Sequence, residues 1–372
     1  MKLTIERAAL LRSLAHVQSV VERRNTIPIL SNVLIEAGDG SLSLTATDMD
    51  LTIVDLTSAQ ANETGATTAP AHTLYDIVRK LPEGAEVEVA TDAGGGQLTI
   101  KSGRSNFALA TLPREDFPTA GVADFPHVFS LQSSEAKHLI DRTRFAISTE
   151  ETRYYLNGIY LHAAKKDSLD VMRAVATDGH RLARFEMPLP SGAGEIPGII
   201  VPRKTVAEVR KLIEESDGPV EVSLSDTRIR FAFDDTVLTS KLIDGTFPDY
   251  ERVIPSGNDK VMEVDCETFA KAVDRVSTIS TEKSRAVKLA VSAGAVRLSA
   301  TSPENGSAEE DVPVKYDGEG LEIGFNSRYL LDIAQQIESG GAEFVMADAA
   351  SPTIVRDVGD ASALYVLMPM RV

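Results

Sequence analysis

The residue types that could do chemistry are concentrated in the stretch Thr177–Arg181. Asp178, His180 and Arg181 could form an acid–base group in which the carboxylate orients the imidazole. Enzymes add a nucleophile, a phosphate cradle or a metal to such a group. The sequence has no Ser or Cys nucleophile elbow, no Gly-rich phosphate loop and no His/Cys metal-ligand spacing. We therefore expect no catalytic site, no cofactor and no metal, and interpret the stretch as part of a binding surface.

This stretch ends one of three copies of a longer pattern. SLSLTATD at 41–48, VMRAVATD at 171–178 and AVRLSATS at 295–302 place apolar residues at the same alternate positions. Only the middle copy continues with Gly179, His180, Arg181 and Leu182. Features that all copies share are expected to build the fold, and features of one copy alone are candidates for function.

Hydrophobic periodicity around the three copies predicts an α+β protein with six helices, at 7–20, 73–80, 134–147, 203–215, 267–276 and 327–337. One strand precedes each helix and three follow it. The chain is thus three tandem similar domains, each of two β-α-β-β-β halves, at 1–122, 127–251 and 256–372. Short hairpin connections indicate antiparallel sheets with helices on one face. Edge strands at both ends of such a tandem can pair head-to-tail and close a ring.

Composition indicates a cytoplasmic protein with a sizeable core. The 372 residues are 43% hydrophobic, the only cysteine is Cys266, and the N-terminus has no signal-peptide pattern. A net charge of −17 opposes nucleic-acid binding only if it is evenly spread. The helices and their flanks carry roughly 16 basic against 11 acidic residues. Two interpretations stay open, namely basic helices that face a polyanion, and solvated faces with pairs such as Arg210 with Glu214.

Five motifs carry a family resemblance: RYYLNG at 153–158, TDGHRL at 177–182, VPRK at 201–204, FPDY at 247–250 and MPMR at 368–371. Together they resemble the bacterial sliding clamp, the β subunit of DNA polymerase III, over the whole chain. The resemblance implies a homodimeric ring whose helices surround duplex DNA and whose sheets form the outer wall. Such a clamp is nucleoid-associated, does no chemistry and tethers the polymerase. Its implied partners are the polymerase α subunit, the clamp loader δ subunit, and other polymerases and repair proteins that carry a clamp-binding motif.

The resemblance also implies a cleft for a short linear motif with a Gln and a Leu/Phe end. The matching positions are Leu156, Thr177, Gly179, His180, Arg181, Leu182, Pro248, Arg252, Val253, Asn326, Tyr329, Met368, Pro369, Met370 and Arg371. Methionine suits a pocket with several partners, and the three arginines are expected to hold a peptide carbonyl or carboxylate. The alternative for the two methionines is core packing at a strand end. Ser284, Ala350 and Pro352 depart from the family pattern, which predicts a shallower rim.

The implied DNA contacts are Arg24, Tyr154 and Tyr155, with Arg23 added by charge. The alternative for the tyrosines is a half-buried position in a strand. His72 and Glu150 stand where the family pattern has a basic and an amide residue.

The dimer seam is expected to place Phe107 and Leu109 against Ile279, and Arg104 against Glu304, Glu309 or Glu310. A second function stays open at this point, a protein-binding scaffold ring that does not encircle DNA.

Overall fold

The structure is a computed structural model that describes residues 1–92, 94–118, 121, 123–216, 218–280 and 285–372. The expected rim residue Ser284 lies outside the described residues. Within them the α-helices are α1 (Arg7–Gln18), α2 (Ala71–Lys80), α3 (Ser133–Asp141), α4 (Arg203–Glu214), α5 (Cys266–Ser277) and α6 (Ser327–Ala334). None of these helices is long and apolar enough to cross a membrane.

Strands occupy most of the remaining described chain. The first are β1 (Lys2–Glu6), β2 (Asn32–Gly38), β3 (Ser41–Thr47), β4 (Leu51–Ser58), β5 (Gln60–Glu63), β6 (Gly65–Pro70), β7 (Glu86–Thr91), β8 (Gln97–Ser102) and β9 (Ser105–Ala110). The next are β10 (His127–Leu131), β11 (Gly158–Lys166), β12 (Leu169–Thr177), β13 (Arg181–Pro188), β14 (Ile199–Pro202), β15 (Val220–Leu224), β16 (Arg228–Phe233) and β17 (Thr236–Lys241). The last are β18 (Lys260–Asp265), β19 (Ala286–Ser292), β20 (Ala295–Ser302), β21 (Gly306–Lys315), β22 (Leu321–Asn326), β23 (Gly341–Met346), β24 (Thr353–Asp357) and β25 (Ala363–Leu367).

The chain divides into two compact units. Unit 1 comprises 1–136, 190–196 and 204–242, and unit 2 comprises 137–189, 197–203 and 243–372. Unit 1 holds a five-stranded sheet, β5-β1-β7-β8-β9, and an eight-stranded sheet, β10-β15-β16-β17-β4-β3-β2-β6. Unit 2 holds a twelve-stranded sheet, β14-β11-β12-β13-β25-β24-β23-β18-β21-β20-β19-β22. All of the strand pairs given for these sheets are antiparallel, as the short hairpins predicted.

Two seams join strands that are far apart in sequence. In the first seam, β4 pairs with β17 and places Ile53 opposite Leu238. In the second seam, β13 pairs with β25 and places Ala183 opposite Tyr365. Each seam continues one sheet from a first half-domain into the second half of the following domain.

Amphipathic helices pack onto these sheets. In α1 the buried side chains of Leu10, Leu14 and Val17 follow helical spacing, and the helix packs beside α2 and against β3 and β4. In unit 2, α5 packs beside α6. The carboxylate of Asp265 caps α5 by accepting a 2.9 Å hydrogen bond from the backbone N–H of Thr268.

Two local expectations are wrong. The helix predicted at 134–147 ends at Asp141, and a 3₁₀ turn at Arg144–Ala146 replaces its last part. Tyr154 and Tyr155 lie in a 3₁₀ segment, Glu151–Leu156, rather than in a strand, and β11 begins after it at Gly158. Leu156, the last residue of the 3₁₀ segment, is buried in a cluster with Leu182 and Val366.

Candidate partner-binding cleft

The cleft is built around the β12–β13 turn, which local hydrogen bonds fix. The hydroxyl of Thr177 donates to the carbonyl of Arg181 at 2.7 Å and accepts from the N–H of Gly179 at 3.1 Å. The Asp178 carboxylate accepts from the N–H groups of His180 (2.9 Å) and Arg181 (3.0 Å). Gly179 has φ +88°, which a glycine adopts without strain. The turn is therefore rigid and presents the exposed His180 to solvent.

Arg181 lies beneath this turn with only 9% of its surface exposed. Its guanidinium donates to Asp178 at 3.2 Å, to Asp332 at 2.5 Å and to the carbonyl of Phe145 at 2.5 Å. It also lies 4.3 Å from the ring centroid of Tyr329. These internal hydrogen bonds position the turn and the Tyr329 ring. The contact of Arg181 with a bound peptide stays a prediction.

The C-terminal residues lie beside this turn and are fixed by backbone hydrogen bonds. The N–H of Met368 donates to the carbonyl of His180 at 2.9 Å, and the N–H of Met370 donates to the carbonyl of Gly324 at 2.8 Å. A Cβ atom at position 324 would lie 2.7 Å from the Met370 oxygen, so glycine is required for this close approach. Met368 is 41% exposed, which excludes the core-packing interpretation for its side chain.

Two aromatic rings, the exposed His180 and the half-buried Tyr329, lie side by side in the cleft. The rings of His180 and Tyr329 stack with centroids 6.5 Å apart. Burial raises the pKa of the Tyr329 hydroxyl, and the nearby Asp178 carboxylate adds to the rise. The tyrosine therefore stays neutral at physiological pH and offers a hydrogen-bonding group on an apolar ring.

The other predicted cleft residues fall into three groups by their burial. Leu156 and Leu182 are 4% and 2% exposed and belong to the supporting core. The exposed group is Pro248, Arg252, Val253 and Arg371, and the half-buried group adds Thr177, Asn326, Pro369 and Met370. Arg252 is 84% exposed and pairs with Asp249 at 2.7 Å, so its guanidinium remains accessible. Ala350 is exposed and Pro352 is half-buried.

Three residues of this region were absent from the sequence-based prediction, namely Phe145, Gly324 and Asp332. Asp332 and Phe145 are partners of Arg181 at separations of 151 and 36 residues. No local pattern reveals such partners. A signal existed for Gly324, because a glycine inside a strand pattern indicates a close backbone approach.

Three of the four predicted DNA contacts are exposed, and the fourth, Tyr155, is half-buried against the core. Arg23 and Arg24 are exposed just beyond α1, and neither forms an ion pair with any residue in the described ranges. Tyr154 is 53% exposed and meets Tyr155 edge-on at 5.7 Å between centroids. Both ring nitrogens of His72 are engaged inside unit 1, at 2.9 Å from Gln18 and from the carbonyl of Val21. His72 therefore has no free nitrogen for a phosphate.

Glu150 also has partners in its own segment. Its carboxylate accepts from Thr152 at 2.6 Å and from Nε of Arg153 at 2.7 Å. These hydrogen bonds, that of Thr152 first, lower the pKa of Glu150, so it remains an anion. An anion at this position repels phosphate.

The predicted dimer residues lie at sheet edges. Strand β9 is the edge of the five-stranded sheet, with Phe107 and Leu109 half-buried and Arg104 exposed beside it. Strand β21 pairs with β20 along its length but with β18 only at Val314 and Lys315. Its remaining edge is therefore unpaired by the described chain. Glu310 on this strand already receives a bidentate ion pair from Arg275 at 2.5 and 3.0 Å.

Ile279, Glu304 and Glu309 surround the β21 edge. Ile279 is half-buried just after α5, and the two glutamates are exposed. No group of three or more His, Cys, Asp or Glu side chains with metal-binding geometry occurs among the described residues.

Comparison with known proteins identifies the family. Three family models match in tandem, the N-terminal, central and C-terminal domains of the DNA polymerase III β subunit, at residues 1–121, 130–249 and 251–371. The chain is 56% identical to the β sliding clamp of Caulobacter vibrioides and 40% identical to that of Escherichia coli, with complete coverage of each pair.

Solved structures agree with these matches. A Caulobacter crescentus β sliding clamp with bound polyethylene glycol superimposes with a TM-score of 0.98 at 56% identity, covering 100% of this chain and 99% of that one. A Bartonella birtlesii sliding clamp bound to griselimycin gives 0.97 at 52% identity, with complete coverage of both chains. The prediction of three tandem domains is confirmed, and their exact limits stay a prediction. The chain belongs to the DNA polymerase III β subunit family, whose members are sliding clamps and non-catalytic accessory subunits of the polymerase.

Proposed function

We propose that this protein acts as a homodimeric ring that encircles duplex DNA and tethers the replicative polymerase through the cleft of unit 2. The observation that carries the proposal is the register of the two seams. In each seam, the last strand in the first half of one domain pairs with the last strand in the second half of the next domain. The strands left without such a partner are β9 and β21, and they complete the same pattern between two copies of the chain.

The internal repeat gives the register of this interchain seam. Ile53, Ala183 and Ala308 are equivalent, because they lie opposite Ala46, Ala176 and Ala300 in matching hairpins. Phe107, Leu238 and Tyr365 are equivalent, because they lie opposite Ile100, Phe231 and Val355. Both seams pair a residue of the first set with one of the second. Phe107 is therefore proposed to lie opposite Ala308 of the second copy, next to its Ile279.

The charge distribution supports encirclement of DNA. Lys and Arg outnumber Asp and Glu on the six described helices, while the whole chain has a net charge of −17. Arg23 and Arg24 add two accessible cations beyond α1. Contacts of this kind with phosphates are independent of base sequence, and their small number permits sliding. The exposed Tyr154 is placed to stack on an unpaired base.

The cleft supports a tethering role. It combines an exposed methionine, a neutral tyrosine and an accessible arginine around a rigid turn. Methionine adapts to different side chains, which suits one site for several partners. We propose that these partners are the polymerase α subunit, the clamp loader δ subunit, and other polymerases and repair proteins with a clamp-binding motif. The place of action would then be the nucleoid in the cytoplasm.

A topological assay tests this function. The protein is loaded with a bacterial clamp loader and ATP onto nicked circular DNA and washed at roughly 0.5 M salt, which screens ordinary phosphate contacts. Gel filtration then measures retention before and after the DNA is linearised. We expect retention on the circle and release on linearisation.

Two results would contradict the proposal. Retention after linearisation would mean contact binding, and failure to load with a loader active on another clamp would favour a protein scaffold. The Phe107→Asp variant is the control, because an open ring should not be retained on the circle.

A further inference from the structure

A second cavity lies in unit 1 beside the turn between β3 and β4. Its volume is about 170 Å³. Its wall includes Thr47, Met49, Asp50, Pro118, Arg228 and Lys241. None of them belongs to the cleft of unit 2, and the proposed function does not use them.

The internal repeat relates this cavity to that cleft. The seam register makes Lys241 equivalent to Met368, because each lies three residues beyond Leu238 or Tyr365. Met49 occupies the turn position of Gly179, and Pro118 follows Phe117 as Pro248 follows Phe247. The N–H of Lys241 donates to the carbonyl of Asp50 at 2.8 Å, as that of Met368 does to His180 at 2.9 Å. The cavity thus lies at the position in the first seam that is equivalent to the position of the cleft in the second seam.

The two turns have the same hydrogen bonds. The hydroxyl of Thr47 donates to the carbonyl of Leu51 at 3.0 Å and accepts from the N–H of Met49 at 3.1 Å. The Asp48 carboxylate accepts from the N–H groups of Asp50 (3.0 Å) and Leu51 (2.7 Å). These are the contacts that Thr177 and Asp178 make in the other turn.

The side chain at the tip differs between the turns. Met49 has φ +79°, a left-handed conformation that costs a non-glycine residue roughly 1–2 kcal/mol. Gly179 has the same conformation without a side chain. The Met49 side chain is 52% exposed, so core packing does not offset this cost. An exposed and strained methionine indicates a surface that contacts something.

The charge of the cavity differs from that of the cleft. Lys241 stands in place of Met368 and pairs with the exposed Asp50 at 2.9 Å. Arg228 lies opposite Lys241 across the β16–β17 pair and is half-buried. It forms no ion pair or side-chain hydrogen bond with the residues that the structure describes. A guanidinium beside an exposed methionine suits a ligand that joins a carboxylate to an apolar side chain.

We propose that this cavity is a second peptide-binding site. Its occupant would be an extended partner segment that places an apolar side chain on Met49 and a carboxylate on Arg228. The inference rests on the proposed function in one respect, that the equivalent cleft of unit 2 binds peptides. Each chain would then hold two peptide sites, the cleft of unit 2 with its two methionines and the cavity of unit 1 with Arg228 and Lys241.

Methyl NMR tests the second site directly. The protein is labelled with ¹³C at its methionine methyl groups and titrated with the peptide acetyl-Gln-Leu-Asp-Leu-Phe bearing a free carboxylate. Met368 and Met370 report on the cleft, and Met49 reports on the cavity. We expect the Met49 resonance to shift with saturation, and the peptide with an amidated C-terminus to bind there about tenfold more weakly.

Two variants separate the sites. Arg228→Gln should abolish the Met49 shift and leave that of Met368 unchanged, while Met368→Ala should weaken the cleft and leave the Met49 response intact. A Met49 resonance that stays fixed while Met368 shifts overturns the second site and preserves the cleft. If no methionine shifts, the second site is refuted and the peptide-binding role of the cleft fails with it.

Discussion

The two seams have the same strand register, but the ion pairs beside them contain different cations. In the first seam His16 of α1 bonds to Asp55 at 2.6 Å and to Glu215 at 2.9 Å. In the second seam Arg142, just after α3, pairs with Glu338 at 2.8 Å. His16 and Arg142 each stand nine residues beyond the first residue of their helix. The equivalent position thus carries a titratable cation in one seam and a permanent one in the other.

The backbone pattern alone therefore does not set the charges of a seam. Burial lowers the pKa of His16, but the hydrogen bonds and charges of Asp55 and Glu215 outweigh it and leave the pKa raised. Burial raises the pKa of Asp55, but hydrogen bonds from His16, Ser13 and Thr236 leave it lowered. The first seam should therefore respond to pH near neutrality, and the second should not.

We expect the largest loss of stability from a substitution of Arg181, which lies in the second seam opposite Leu367. Arg181→Ala leaves Asp178 and Asp332 without their buried partner and should lower the free energy of unfolding by ~4 kcal/mol. Chemical denaturation measures the loss. Arg252→Ala is the matched control, because this arginine is 84% exposed and its loss should stay within about 0.5 kcal/mol. Equal losses in the two variants would contradict the positioning role of Arg181.

The next effect concerns the first seam and its pH dependence. His16→Gln should lower the free energy of unfolding by ~2–3 kcal/mol at pH 6, because Asp55 loses a charged partner. A raised native pKa means that the contribution of His16 is complete below its ordinary pKa and is lost as pH rises through the native one. The deficit of the variant should therefore shrink by pH 9.

The second seam supplies the control for this pH dependence. Arg142→Gln removes a cation that stays charged throughout this range, so its deficit should be the same at pH 6 and pH 9. Denaturation curves at both pH values measure the loss of unfolding free energy in each of the two variants. A deficit of His16→Gln that does not change with pH would remove the proposed difference between the seams.

The proposed interchain seam extends the comparison to a second copy. Phe107→Asp or Ile279→Asp should raise the dimer dissociation constant by about 100-fold or more, because a carboxylate would be buried against apolar groups. Sedimentation or light scattering measures this change. Leu169→Asp is the control, since Leu169 is 70% exposed on β12, a strand that the proposed interchain seam does not use. A variant at position 107 that remains dimeric would contradict the register.

A smaller effect is expected for an ion pair in that seam. Arg275 stands nine residues beyond the start of α5, and its pair with Glu310 matches that of His16 with Asp55. Glu83 stands twelve residues beyond the first residue of α2, as Glu215 does for α4, and it is exposed. It should therefore meet Arg275 of the second copy.

The charge reversal Glu83→Arg should weaken the dimer by about tenfold, and Arg275→Glu in the same chain should restore most of the affinity. Asp39→Arg, at the exposed β2–β3 turn, is the control for a general change of charge. If the double variant is weaker than Glu83→Arg alone, the two residues do not meet.

The smallest effect is on the turn of the first seam. Met49→Gly should raise the free energy of unfolding by roughly 0.5 kcal/mol, because it relieves the left-handed strain but gives the unfolded chain more freedom. Gly179→Ala in the other turn should lower it by ~1 kcal/mol. Thermal unfolding measures both, and a destabilised Met49→Gly would mean that the methionine packs in the free protein.

The features that depend on local interactions could be predicted from the sequence alone. The three-fold repeat, the starts of the helices and the antiparallel hairpins follow from periodicity and short connections, and the structure has them. The Thr-Asp turns are equally local, since Thr47 and Asp48, like Thr177 and Asp178, bond to backbone groups within four residues. The residues of the cleft were assembled by family resemblance, and most are accessible where that resemblance placed them.

Contacts between groups that are far apart in the sequence depend on the tertiary structure. Nothing near Arg181 in the sequence indicates Asp332, 151 residues away, so this buried ion pair was not predictable. The same holds for Glu215, which reaches His16 across 199 residues. Local propensity fixes how each segment folds, but the register of two seams fixes which charges are buried together, and burial determines their chemistry.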